Sequence, residues 1–117
     1  MGTTTPDSFL DKVGGGWILF YKLNAEAFLM QSGLAFTIVK PSGLSDTPGG
    51  KSFLLVGHDD SITNKSSIPR SDVATVLTRA CLLPSDAANT RFDLTSDPSR
   101  PSSGDFKALF AAARALE

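Results

Sequence analysis

"FYKLNAEAFLMQSGLAFTIVKPSGL", residues 20–44, is the stretch on which the fold turns. Its first half has helical composition, with apolar residues on nearly every side and one lysine, Lys22. Its second half is a β-branched run, "AFTIVK" at 35–40, closed by the turn signal "PSG". Gly33 between them accepts the left-handed backbone that ends helices. The spacing therefore predicts a helix over about 16–32, followed directly by a strand.

Placed at about 100° per residue, positions 17–32 fall into two apolar arcs. Trp17, Ile18, Tyr21, Ala25, Phe28 and Leu29 fill one; Leu19, Phe20, Leu23, Ala27 and Met30 fill the other. Two narrow polar seams part them, Lys22 with Glu26 and Asn24 with Gln31. A helix resting on its own sheet needs a single apolar stripe. Two arcs imply a second partner, which is either another helix of the same protein or a second subunit. Lys22 and Glu26 stand four residues apart, so a solvated pair worth about 0.3–0.5 kcal/mol is the plain structural reading of that seam.

Working outward, residues 1–15 are rich in Thr, Gly, Pro and Asp and read as loop, as do "SDTPGG" at 45–50 and "HDDSITNKSS" at 58–67. "SFLLVG" at 52–57 reads as a second strand. "IPRSDVATVLTRACLL" carries the next helix, with Ser71 as N-cap, Val73, Val76, Leu77, Ala80 and Leu83 as its apolar stripe, and Pro84 as its stop. "TRFDLTS" at 90–96 alternates as a strand does, with Phe92 and Leu94 inward. A Pro/Ser linker at 98–103 leads to a last helix over about 104–116, with Phe106, Leu109, Phe110, Ala113 and Leu116 inward. Strands alternating with helices define an α/β layered domain, and residues 1–117 read as one unit.

Eleven basic against twelve acidic residues leave a net charge of −1, so no cationic field is present to hold nucleic acid or an anionic membrane. One cysteine, Cys81, excludes an internal disulfide and reads as a small buried residue. No apolar run approaches the ~20 residues that cross a bilayer. "MGTTTPDSF" lacks a basic segment before an apolar core, so an intracellular chain, or a piece of one, is expected, in cytoplasm or plastid stroma. "TPGGKS" at 47–52 has Ser45 where a phosphate loop needs glycine and precedes a strand, so it reads as a turn. His58, Asp59 and Asp60 read as solvated loop residues rather than metal ligands, and Asp72 as a carboxylate meeting a helix dipole.

A helix with an inward lysine, then "SGLAFTIVKPSGL", then "IPRSDVATVL", then "RFDLTSD", resembles the C-terminal half of atypical short-chain dehydrogenase/reductases, the NAD(P)-binding, NmrA-like proteins. The resemblance runs over nearly the whole chain, with "MGTTTP" similar to the loop after the family's fifth strand. It implies a partial Rossmann-like fold, ordered helix–strand–strand–helix–strand–helix, and NAD or NADP as cofactor. It also implies a role for Lys22: hydrogen bonds to the ribose hydroxyls beside the nicotinamide, and a lowered pKa for a tyrosine one turn earlier. The turn Pro41, Ser42, Gly43 and Leu44 would run along the nicotinamide edge, with Gly43 permitting close approach.

Two departures accompany these matches. The tyrosine position is Ile18, and the adjacent Tyr21 points about 100° away from Lys22. No G-x-G-x-x-G occurs, so the first strand–turn–helix that seats the pyrophosphate is expected to lie outside this chain. Two functions follow. One is the nicotinamide and substrate side of an oxidoreductase, inactive by itself. The alternative is a non-catalytic structural or interaction subunit. In both, the missing half or another subunit packs on Trp17, Phe20, Leu23 and Phe28.

Overall fold

Apolar residues at the helical period and β-branched runs separated by Pro/Gly turns produce a layered α/β arrangement in the computed structural model, which describes residues 18–59, 61–62 and 66–115. In chain order it comprises α1 (Ile18–Gln31), β1 (Thr37–Pro41), β2 (Leu44–Ser45), β3 (Ser52–Gly57), β4 (Ile68–Pro69), α2 (Arg70–Leu82), α3 (Pro84–Ala87), β5 (Thr90–Pro101) and α4 (Phe106–Ala115). The expected helix start near residue 16, Trp17, the side chains of Ile18 and Phe20, Asp60 and Leu116 lie outside the described residues. Among the described residues no helix is long and apolar enough to cross a membrane.

The main sheet has the order β1-β5-β3, with β5 parallel to β1 from Thr37↔Thr90 to Pro41↔Leu94 and antiparallel to β3. A parallel strand pair with a helical crossover between its members is the signature of a partial Rossmann-like fold. A second, two-stranded parallel sheet pairs Leu44 with Ile68 and Ser45 with Pro69. Gly33 takes φ +82°, and the first helix ends at Gln31 as its glycine cap predicts.

Phe92 and Leu94 are fully buried, as their alternation predicts, in a core with Ile68, Val76, Ala80, Ala87, Phe110 and Ala113. The Phe92 and Phe110 rings meet edge to face, with centroids 6.2 Å apart at 70°. Asp93, Thr95 and Ser96 are buried too, so β5 is covered on both faces over this part of its length.

Four sequence expectations need correction. The Pro/Ser segment 98–103 is not a linker throughout: β5 continues to Pro101. The register jumps from Phe53↔Asp97 to Ser52↔Pro101, so the strand absorbs Pro98, Ser99 and Arg100 as a bulge beyond the end of its pairing with β1, where only β3 is alongside and proline is tolerated. Ser71 does not cap α2, which begins at Arg70 after Pro69 without a side-chain cap bond. Leu77 is 47% exposed, because the buried line of α2 runs through Asp72, Val76 and Ala80 at intervals of four. Cys81, next to that line, is exposed rather than buried. Pro84 does stop α2, and it then opens the short α3, where its missing N–H costs nothing.

Candidate functional site

The carboxyl ends of parallel strands are where open α/β sheets hold ligands. In this chain β1 ends there in Pro41, and the turn Ser42–Gly43 carries the backbone into β2. Pro41 is half-buried, Gly43 and Leu44 are exposed, and Ser42 is turned inward. The Ser42 N–H donates to Leu94 O at 2.9 Å, and the Ser42 hydroxyl lies 2.6 Å from Ser66 O and 2.8 Å from Thr95 Oγ1. Thr95 Oγ1 itself donates to Ser66 O at 2.7 Å, so two hydroxyls share one carbonyl. The Gly43 carbonyl accepts from Ile68 N–H at 2.8 Å. A Cβ built on Gly43 would meet nothing within 4 Å, so the space beside this turn is open.

Farther along, the loop is bound to the start of α2. Arg70 Nη1 donates to Asp46 Oδ1 at 2.7 Å, and Asp72 Oδ1 accepts from Gly50 N–H at 2.8 Å. Every part of the segment 42–50 that carries one of these bonds is therefore tied to residues on β5 or in 66–72.

Lys22 is exposed and does not pair with Glu26. Glu26 turns to Lys40 instead, with Oε1 3.4 Å from Nζ, and Lys40 Nζ lies 3.8 Å from Asp93 Oδ1. All three groups are buried, so one ammonium stands between two carboxylates away from water. Buried charge is tolerated only when paired in this way, which is why the solvated-seam reading fails. The same contact sets the level of α1 on the sheet. The link 32–36 is short, so α1 and β1 run in opposite directions, and Lys22 lies one turn, roughly 6 Å, nearer the helix N-terminus than Glu26. That direction leads to the carboxyl end of β1. Lys22 and the turn 41–44 thus share one end of the sheet, although among the described residues no hydrogen bond joins them.

Tyr21, beside Lys22, is largely exposed and sits about 100° around the helix from it. Lys40, Asp93 and Thr95 were not singled out from sequence, and Glu26 only as a partner for Lys22. The available signal was a lysine inside an apolar strand run and an aspartate between Phe92 and Leu94, which the register sets side by side as Lys40↔Asp93. Asp59 pairs with Arg91 at 3.0 Å, and the described residues contain no group of three metal-ligating side chains. A cavity of about 370 Å³ lies at the other edge of the sheet, between β3 and α4. It is walled by Phe53, Leu54, Phe106 and Leu109, and Asp105 is the one titratable group among its lining residues.

The profile of a family described as NAD(P)H-binding matches residues 4–84. The chain is 40% identical over 115 residues to sanguinarine reductase of Eschscholzia californica, an alignment spanning 95% of this chain and 42% of that protein. It is also 40% identical over 114 residues to an uncharacterized chloroplastic protein of Arabidopsis thaliana, spanning 94% of this chain and 35% of that protein. The chain thus spans less than half the length of either relative.

Proposed function

This chain belongs to the NAD(P)H-binding family, of the atypical short-chain dehydrogenase/reductase, NmrA-like type, and on that premise we propose that it is the nicotinamide- and substrate-side part of an oxidoreductase. The observation that carries the reading is the open turn at Gly43, at the carboxyl end of β1 and at the same end of the sheet as Lys22. The reductase among its relatives supports the reaction class, and the chloroplastic relative supports a plastid location.

The residues present fit one end of a nicotinamide dinucleotide. The exposed Lys22 ammonium offers three donors to ribose hydroxyls, and the space beside Gly43 admits a flat ring. Pro41 and Leu44 would line that edge. Ser42 would act from behind, because its hydroxyl is already engaged with Ser66 and Thr95. The sequence holds no glycine fingerprint for the pyrophosphate, so that function falls to a half carrying one. A bound dinucleotide supplies hydride transfer. Ile18 stands where a proton-donating tyrosine is expected, so no proton comes from that position. The two apolar arcs of α1, with Phe28 on one and Leu23 on the other, would be covered by the same fingerprint half, and Trp17 and Phe20 belong to the same proposed contact.

The test is to mix this chain with a fingerprint-bearing half from the same family and titrate NADH and NADPH by fluorescence. Saturable binding is expected, weakened roughly tenfold by Lys22→Ala, the size of one lost charged hydrogen bond. Unaltered affinity in that variant would overturn the role given to Lys22. Ile18 favours a second reading, a non-catalytic interaction subunit. In that case a stable complex forms through α1 with no saturable nucleotide binding.

A further inference from the structure

We propose that Asp72 is a positioning residue that holds the loop after β1 in place, making the segment 43–50 a fixed wall of the ligand site rather than a free flap. The wall's bearing on nucleotide rests on the functional reading above; the hold itself rests on contacts within the chain.

Asp72 lies in the first turn of α2, yet the residue is only 7% exposed and its carboxylate is turned onto the loop. Its Oδ1 accepts the Gly50 N–H at 2.8 Å. The loop in turn is shaped to receive it. A Cβ built on Gly49 would collide with Ser71 Oγ and stand 2.6 Å from Asp72 Oδ1, so any larger residue would have to displace these side chains from the loop. The neighbouring Arg70–Asp46 bond, 2.7 Å long, joins the same two segments but is solvent-exposed at both ends. An exposed pair contributes little, whereas a buried carboxylate bonded to a backbone N–H strongly favours one loop position. Upstream, the Gly43 carbonyl and the Leu44↔Ile68 pairing fasten the other end of the segment to β4, immediately before α2. The loop is therefore held at both ends, and Asp72 is its buried anchor at the far one.

Amide hydrogen exchange on the whole chain decides the matter. In Asp72→Ala, amides across 43–51 should exchange about tenfold faster or more, with the β1–β5–β3 sheet unchanged. Asp72→Asn keeps the accepting oxygen and should restore protection. Gly49→Ala keeps the carboxylate but displaces it, and should loosen the same amides. An equal rise over sheet and loop would show that Asp72 merely stabilises the fold, and no rise in 43–51 would likewise overturn the proposal. If Asp72→Ala does not fold, Gly49→Ala takes its place under the same criterion. Absence of NADPH binding by the wild-type chain with its fingerprint half counts against the functional reading and leaves the exchange result to judge the hold. Where wild type binds, Asp72→Ala should weaken affinity about tenfold and Asp72→Asn should not. Wild-type affinity with a loosened loop would refute the positioning role.

Discussion

Phe92 and Phe28 carry the same side chain, yet the first is fully buried and the second is 79% exposed. Phe92 belongs to the region of β5, α2 and α4, where each helix offers one apolar stripe and has one layer to lay it on. Arg79 there even lays its guanidinium 5.2 Å from the Phe106 ring centre, linking α2 to α4. Phe28 belongs to α1, whose apolar residues surround the helix and whose one buried side chain among those described is the charged Glu26. Tyr21, Met30 and Leu34 are exposed around it. Burial thus follows from how many layers the surroundings supply, not from how apolar a residue is. The β5 region is complete within this chain. The α1 region has one layer, and β1 beside it has no strand on its outer edge among the described residues.

The largest expected effect tests the complete side of this contrast. Phe92→Ala should remove about 3–5 kcal/mol of stability in denaturant unfolding, since it opens a cavity against Phe110. A loss under about 1 kcal/mol would mean the core is not packed as described. Somewhat smaller, Lys40→Met should cost about 3 kcal/mol, because it leaves Glu26 and Asp93 buried together without their cation. Adding Glu26→Leu to Lys40→Met should recover part of that loss, and strict additivity of the two would break the claim that they act as one unit.

Phe28→Ser, on the incomplete side, should change stability by no more than about 0.5 kcal/mol while reducing self-association in sedimentation. A wild-type chain that stays a compact monomer at high concentration would erase the contrast between the two regions. The smallest effect concerns Asp97, at the bulge. The Ser99 hydroxyl, first of all, and then the Ser99 N–H and the Arg100 charge, hold its carboxyl below the ordinary value of 3.8. A lowered folded value means that the stabilisation is present above the ordinary carboxylate pKa and is lost as pH falls through the folded one. Asp97→Asn should therefore lower the unfolding midpoint slightly at neutral pH, and the difference should vanish as pH falls below the ordinary carboxylate value and through the lowered folded one. A difference that persists at low pH would assign the effect to something other than ionisation.

The element order and the Phe92/Leu94 core were legible because alternation and helical spacing report burial directly. Gly33 marked the end of α1 because one backbone conformation demands it. The bulged tail of β5 was illegible: Pro98 and Pro101 signal a break, and only pairing with β3 shows that the strand resumes. Lys22 and the turn 41–44 were singled out through the family resemblance, not through composition or periodicity. The Glu26–Lys40–Asp93 triad did not, because it joins residues far apart in sequence and competes with a local pair, Lys22 with Glu26, that sequence spacing favours. Asp72 was visible as a residue and hidden as a contact, since its partner Gly50 reveals itself only by how closely the loop passes.

The outward-facing sulfur of Cys81 has a practical corollary. As the chain's single thiol, on the solvent side of α2, it can accept a maleimide dye or nitroxide without any prior mutagenesis. A second probe on an added half would then turn α2 into one end of a molecular ruler, so that any docking of the proposed partner could be read as a distance.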